Sequence, residues 1–306
     1  MNDVLVRDLV TEDERQIVLR LIAAAAREDG QSAVSEQGRL LLRGGARAGV
    51  RHLLMRREGA LVGYAQLNGT DPVEAPSGEL VIHPDYRGRR YGRVLGEALL
   101  AESGRRLRLW AHGGHPAARH LAQMLGLTLF RELRQLRRPL GGLDLPEPVL
   151  PAGVRVRTFE PGKDDAAWLD LNARAFAHHP EQGALTQEDL DARKAESWFD
   201  PAGFFLAVRE TGAEEGGLVG FHWTKAHAAE GLGEVYVLGV APGAQGSGLG
   251  RALTTIGLRY LADPGRGPEL DTAMLYVDAD NVPAVRVYEG LGFRTFETDL
   301  MYRTES

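Results

Sequence analysis

Between Val235 and Leu261 the chain carries seven residues suited to holding an anion: Gln245-Gly246-Ser247-Gly248-Leu249-Gly250-Arg251. An apolar stretch, Val235 to Val240, leads into them, and Ala241-Pro242 ends it. An apolar periodicity through Leu253, Ile256, Leu258, Tyr260 and Leu261 follows. That order predicts strand, turn, glycine-rich loop and helix. Glycines let backbone approach a ligand closely, and the first N–H groups of a helix are unpaired and favour negative charge. A phosphate or pyrophosphate is the expected guest. A nucleotide P-loop would need Gly-Lys-Ser/Thr, and no Lys follows here. A dinucleotide fingerprint would need a third glycine where Arg251 stands. Asp271 lies at a suitable distance for the acid of that motif, but Pro264, Gly265, Gly267 and Pro268 intervene as loop.

A second chemistry-bearing stretch lies downstream. Ala273 to Asp278 reads as a buried strand, and Asp280-Asn281-Val282-Pro283-Ala284-Val285-Arg286-Val287-Tyr288 leads on to Gly292-Phe293. The loop Gln-x-x-Gly-x-Gly, here Gln245, Gly248 and Gly250, resembles the acetyl-CoA loop of the GCN5-related N-acetyltransferases (GNAT family). That family also has an Asn opening a helix beside the CoA, a Tyr seven residues later and a closing Gly-Phe, matched by Asn281, Tyr288 and Gly292-Phe293. The resemblance implies acetyl-CoA as co-substrate and no metal. It implies CoA contacts from Leu238, Gly239 and Val240, from Gln245, Gly246, Ser247, Gly248, Leu249, Gly250 and Arg251, and from Asn281, Val282, Pro283, Ala284, Val285 and Arg286.

Acetylating an amine requires loss of a proton from nitrogen, stabilisation of the thioester oxygen and stabilisation of the departing thiolate. Glu234, at the start of the central strand, is a carboxylate able to accept the amine proton directly or through a water. Tyr288 is a hydroxyl able to donate to the CoA sulfur, and a backbone N–H from Leu238-Gly239-Val240 can face the carbonyl oxygen. Solvated strand end and helical core packing are the ordinary explanations for Glu234 and Tyr288. Their joint presence on this scaffold favours function.

The elements that must position these groups occur twice. Residues 4–9 open with a strand, and Thr11 with Glu14 has capping-box spacing for a helix running to a break at Gly30. Ser35-Glu36-Gln37 leads a second helix, and 51–57 with 61–67 forms an antiparallel pair around Glu58-Gly59. Leu80, Val81 and Ile82 then run into Pro84 and Arg87-Gly88-Arg89-Arg90-Tyr91-Gly92-Arg93. An offset of 158 carries Pro84 onto Pro242, Arg87 onto Gln245 and Gly92 onto Gly250, so the first half is a divergent copy of the second. Arg90 stands where the second copy has Gly248, Pro76 where it has Glu234, and Leu121 or Ala122 near Tyr288. The first copy is therefore expected to do no acetylation, though Leu80–Ile82 and Arg87–Arg93 retain the outline of a CoA site. Strands at 105–110, 154–159, 204–209 and 218–224 (the last two joined by a turn at Glu214-Glu215) and helices at 116–127 and 164–176 complete the two copies. The expected domains are 1–140, a Pro- and Gly-rich linker at 141–153, and 154–306. The family's fold makes each an α/β (α+β) unit, a mixed and mostly antiparallel central sheet flanked by helices.

Composition agrees with two ordinary globular domains. The 306 residues include 43% hydrophobic ones, enough for real cores, and no cysteine, which excludes disulfides and thiolate metal sites. The charge of −6 divides into +4 for residues 1–150, which contain no Lys, and −10 for 151–306. A net +4 without an aromatic platform does not read as a nucleic-acid surface. His178-His179, His222 and His227 lack metal-ligand context. No apolar run is long enough for a membrane span, and Met1–Leu21 has no signal-peptide core, so a cytoplasmic monomer is expected.

Over nearly its whole length the chain is similar to the tandem acetyltransferases that make mycothiol. That resemblance implies transfer of acetyl to the cysteinyl amine of a cysteinyl-glucosaminyl-inositol, with Glu36, Glu181, Lys225, Glu234 and Tyr276 as substrate contacts. Two other readings compete. One is a tandem N-acetyltransferase acting on another small amine or a peptide N-terminus. The other is a non-catalytic CoA-binding module, against which the retention of Glu234 and Tyr288 beside the intact loop speaks.

Overall fold

The structure is a computed structural model that describes all residues except 1, 2, 72, 73, 142–144, 178, 179, 211–215 and 306, with backbone alone for 3, 180 and 181. The Glu214-Glu215 turn and the His178-His179 pair thus lie outside the described residues, as does the side chain of Glu181.

Local signals set the elements of the first half. After β1 (Asp3–Arg7), Thr11 caps α1 (Glu12–Asp29). The Thr11 hydroxyl accepts from the Glu14 N–H at 3.2 Å and the Glu14 carboxylate accepts from the Thr11 N–H at 3.0 Å, the reciprocal box expected from the spacing. Gly30 ends the helix at φ 75°. Ser35 caps α2 (Glu36–Arg43). β2 (Val50–Arg57) and β3 (Ala60–Asn68) form the expected hairpin, with Glu58 and Gly59 at φ 50° and 84°, the handedness that matches strand twist. Then come β4 (Ser77–Ile82), α3 (Tyr91–Glu102), β5 (Arg108–Ala111), α4 (Pro116–Met124) and β6 (Leu127–Pro139). The second half gives β7 (Val154–Thr158), α5 (Asp165–Ala175), α6 (Pro180–Gly183), α7 (Gln187–Lys194), β8 (Phe204–Arg209), β9 (Leu218–His227) and β10 (Leu232–Val240). It closes with α8 (Leu249–Ala262), β11 (Thr272–Asp278), α9 (Val282–Gly290) and β12 (Arg294–Thr304).

The chain divides into two compact units, residues 1–133 with 297–306, and residues 134–296. In the first unit the strand order is β1-β2-β3-β4-β5, followed by the 297–304 part of β12. The sequence places residues 297–306 with the second copy. In the structure Leu300, Met301 and Tyr302 pair antiparallel with Ala111, Trp110 and Leu109 of β5, which holds that segment in the first unit. Successive β2 residues serve opposite faces: Leu53 and Met55 join Leu95 and Leu99 of α3 in one core, while Leu54 joins Val18, Leu21 and Leu42 of α1 and α2 in the other.

In the second unit the order is β7-β8-β9-β10-β11, with the 134–139 part of β6 beyond β11. Trp168 of α5 meets Phe204, Phe221 and Trp223 edge-on at 5.5–5.6 Å, the core beneath one face. Leu258, Leu261, Tyr288 and Phe293 build the other with Val235 and Leu275. After Pro139 the described residues of the segment expected to act as linker form neither helix nor strand and lie with the second unit: the Leu140 N–H donates to the Asp271 carbonyl at 2.7 Å and Arg259 to that of Leu145 at 3.0 Å. Among the described strand pairs two are parallel, β4 with β5 and β10 with β11, and the others are antiparallel.

Candidate active site

The parallel pair of the second unit is unfinished. β10 and β11 pair only from Leu232–Thr272 to Val235–Leu275, although β10 continues to Val240 and β11 to Asp278. On its other side β10 pairs with β9, and there the register slips: Val235 faces Thr224, but Val237 faces Trp223, so Tyr236 is an extra residue. A bulge bends its strand and raises the local twist. Here it coincides with the point where β10 leaves β11, and Leu238, Gly239 and Val240 follow with backbone groups that β11 does not pair. Gly239 has a packing reason as well, since a Cβ there would lie 2.5 Å from the Phe221 ring.

The glycine-rich loop follows at the end of β10. Gln245 Nε2 donates to the Val240 carbonyl at 3.3 Å and Ser247 Oγ to that of Ala244 at 2.6 Å, folding the loop back on the strand. Gly246 and Gly248 have φ of 75° and 87°, the left-handed region that disfavours an L side chain. Gly248 is the N-cap of α8, and no side chain caps that helix. A Cβ on Gly250 would meet only Val240 Cγ2, at 3.7 Å, so nothing in the protein demands glycine in the first turn of α8. These features fit a phosphate approaching open N–H groups. Leu249 is the exception within the motif, a core residue at 1% exposure. On α9, the Asn281 side chain accepts from the Ala284 N–H at 3.3 Å, and Val282, Pro283 and Arg286 are exposed while Ala284 and Val285 lean on the core.

Glu234 stands on the paired part of β10, one residue before the strands part, and is 7% exposed. Its carboxylate accepts a 2.7 Å hydrogen bond from His227 Nε2. Lys225 sits directly opposite on β9 with its Nζ 4.4 Å from the Trp198 ring and 5.1 Å from Tyr236, held against their π faces. Tyr288 faces inward from α9, edge-on to Phe293 at 5.9 Å, and burial pushes its phenol up to about 12. It is thus a protonated donor throughout the physiological range. Tyr276 is 40% exposed, and its hydroxyl accepts from Gln135 Nε2 at 2.7 Å. Glu36 is the first residue of α2 in the first unit, half-buried, and the structure gives Glu181 only as backbone in α6. His227, which lacks metal-ligand context in the sequence, has no local signal for this role; only the β9–β10 register reveals that it meets Glu234.

The first unit repeats the architecture with other side chains at the corresponding positions. β4 pairs with β5 only at Ser77–Arg108 and Gly78–Leu109 before running on to Ile82. Arg87 Nε donates to the Ile82 carbonyl at 3.3 Å, the counterpart of the Gln245–Val240 bond. Gly88 and Arg90 have φ of 73° and 63°, so the loop keeps the same backbone even where Arg replaces Gly248. The Arg87 guanidinium forks onto Asp29 at 2.6 and 2.7 Å and is committed there. Past the last β4–β5 pair, His112 ties Glu79 (3.0 Å) to Asp299 (3.0 Å). Burial alone would disfavour the imidazolium, but the bonds to Asp299 and Glu79 outweigh it and raise His112 to about 10. At the offset of 158 the counterpart of Glu234 is Pro76, and the buried carboxylate of β4 is Glu79, bonded to His112.

Among the described residues, no group of three or more His, Asp or Glu is placed to hold a metal ion, and no helix is long and apolar enough to cross a membrane. The pattern of the acetyltransferase (GNAT) family matches residues 18–127 and again 166–293. A mycothiol acetyltransferase of Streptomyces avermitilis is 72% identical over 293 residues, 96% of this chain and 92% of the relative. One of Streptomyces coelicolor is 70% identical over 298 residues, 97% and 94% of the two chains. Among solved structures, a tandem GNAT protein from the clavulanic acid biosynthesis pathway superposes with TM-score 0.71 at 19% identity, covering 100% of this chain and 98% of that one. A GCN5-related N-acetyltransferase from Sphaerobacter thermophilus gives 0.66 at 22%, covering 99% and 95%. These structures share the fold. With the parted strands, the open helix N-terminus and both matches in place, the chain belongs to the acetyltransferase (GNAT) family, as a tandem, acetyl-CoA-dependent N-acetyltransferase.

Proposed function

We propose that this chain acetylates the cysteinyl amine of cysteinyl-glucosaminyl-inositol with acetyl-CoA, the last step of mycothiol formation, and that the second unit does the chemistry. The observation that supports the substrate is identity of 72% over 96% of the chain to a mycothiol acetyltransferase. The chemistry follows from the residues of the second unit. Gly246 to Arg251 offer N–H groups to the CoA phosphates, and the β10 backbone at Leu238–Val240 pairs with the extended arm of the cofactor. Glu234 takes one proton from the substrate ammonium. The freed nitrogen then forms its bond to the thioester carbon as the carbon–sulfur bond breaks. Of the two protons the nitrogen loses, one is released to water and the other balances the thiolate, which Tyr288 meets with its hydroxyl. A thiolate formed in apolar surroundings also has a raised pKa, which narrows the mismatch with a phenol near 12. Lys225 and Tyr276 line the approach of the substrate. The protein acts as a monomer in the cytoplasm.

Glu234→Gln tests the assignment of the base. Loss of a general base costs roughly 10²–10⁴ in rate. The variant is expected to lose turnover by at least about 100-fold while its acetyl-CoA affinity stays within twofold. Undiminished turnover would remove Glu234 from the mechanism.

A further inference from the structure

We infer that His227 is a positioning residue for Glu234, holding one carboxylate oxygen so that the other faces the amine. The inference rests on the reading of Glu234 as the base. His227 ends β9, and the chain turns through Ala228–Glu230 and Gly231, left-handed at φ 64°, before β10 begins at Leu232. The register of this hairpin puts Leu232 opposite His227 and Glu234 opposite Lys225. Side chains two apart on a strand share a face, so Glu234 has Lys225 across from it and His227 as its diagonal neighbour.

The two neighbours make different bonds. The Lys225 ammonium is drawn over the rings of Trp198 and Tyr236. His227 Nε2 lies 2.7 Å from Glu234 Oε2, a short charge-assisted bond. A carboxylate has no proton to give, so Nε2 carries the hydrogen and donates it. The other nitrogen, Nδ1, looks outward, 3.7 Å from Oε2 of the exposed Glu230. Only 9% of the Glu234 side chain is exposed, against 25% for His227. Glu234 would otherwise choose among rotamers at a bend in the sheet. With Oε2 tied, its orientation is set and Oε1 is the oxygen left for the substrate. Base catalysis demands such placement, because the acceptor must lie within hydrogen-bond reach of the proton it removes.

Three single variants and one double variant separate the possibilities: His227→Leu, His227→Gln, Glu234→Gln, and His227→Leu with Glu234→Gln. Each is assayed for CoA release with the cysteinyl-glucosaminyl-inositol and for acetyl-CoA KM, and each is melted. His227→Leu is expected to lower kcat about tenfold with acetyl-CoA KM within twofold. His227→Gln keeps an amide N–H near the position of Nε2 and is expected to recover to within about threefold of the parent. In the Glu234→Gln background the Leu substitution is expected to cost less than about twofold more, since the carboxylate it positions is gone. A His227→Leu enzyme with parental kcat, beside a Glu234→Gln enzyme that has lost turnover, would overturn the inference and leave the base assignment standing. Equal kcat losses in the Leu and Gln variants, tracking a lower Tm, would reduce His227 to a fold-stabilising role and also overturn it. Turnover retained by Glu234→Gln would remove the base, and the inference with it.

Discussion

Gly257→Ala should damage this protein, although Gly to Ala inside a helix ordinarily stabilises by about 1 kcal/mol. Gly257 lies on the buried face of α8, where the imidazole of His222 packs against it. A Cβ there would sit 2.0 Å from His222 Cε1, 2.3 Å from Nδ1 and 3.0 Å from Nε2. His222 has no room to retreat: it is 0% exposed, and its Nδ1 donates to the Leu253 carbonyl at 2.7 Å. Either α8 lifts from the sheet, at an overpacking cost of about 1–3 kcal/mol, or His222 turns and leaves a buried donor unmet, at about 1–3 kcal/mol. Set against the gain of about 1 kcal/mol in helix propensity, the net is roughly 1 kcal/mol of destabilisation, which lowers Tm by about 2–4 °C at this domain size. Calorimetry of the purified variant measures it, and acetyl-CoA KM should rise with it because α8 carries the loop at its N-terminus. The double variant with His222→Ala should lose less than the sum of the two singles. A Gly257→Ala protein that melts at or above the parental temperature would refute the reasoning.

Other substitutions probe the site and its counterpart. Gly248→Ala meets no atom within 4 Å, so its cost is the left-handed backbone alone, about 1 kcal/mol, and acetyl-CoA KM should rise about 3–10-fold with kcat little changed; an unaltered KM would separate loop geometry from binding. Tyr288→Phe keeps the ring against Phe293 and removes the hydroxyl, so Tm should hold within about 2 °C while kcat falls roughly 10–100-fold; full activity would exclude the donor role. His112, raised to about 10 in the folded state, contributes stability that is complete below its unfolded pKa near 6.5 and is lost as pH rises toward 10. His52 and His222, lowered by burial to about 4, act oppositely: their contribution is present at neutral pH and is lost as pH falls from about 6.5 toward 4. The stability gap between the parent and His112→Gln, measured in urea, should therefore narrow from pH 6.5 to pH 10; a gap that widens would contradict the sign.

What could be read from the sequence was local. Thr11 and Glu14 announce a capping box, and Glu58-Gly59 a hairpin, because each signal lies within a few residues of its effect. The repeat was legible because loop chemistry tolerates few residues, and Arg87 and Gln245 indeed make the same bond to Ile82 and Val240. Thr186 and Asp189 form another reciprocal box at the start of α7, a signal followed by a short helix in which Leu190 is the one large apolar residue, too few to show a periodicity. β12 eluded the reading for a different reason: its partner is β5, nearly two hundred residues earlier, and strand pairing leaves no trace in local periodicity. The bulge at Tyr236 carries no glycine to mark it, and the His227–Glu234 bond exists only once the β9–β10 register is known.

The most direct test of the account is CoA release from acetyl-CoA with purified cysteinyl-glucosaminyl-inositol, run beside a panel of simple amines and a peptide N-terminus. Selective turnover of the conjugate, abolished in Glu234→Gln, is the predicted result. Turnover of the simple amines alone would keep the acetyltransferase fold and contradict the proposed substrate.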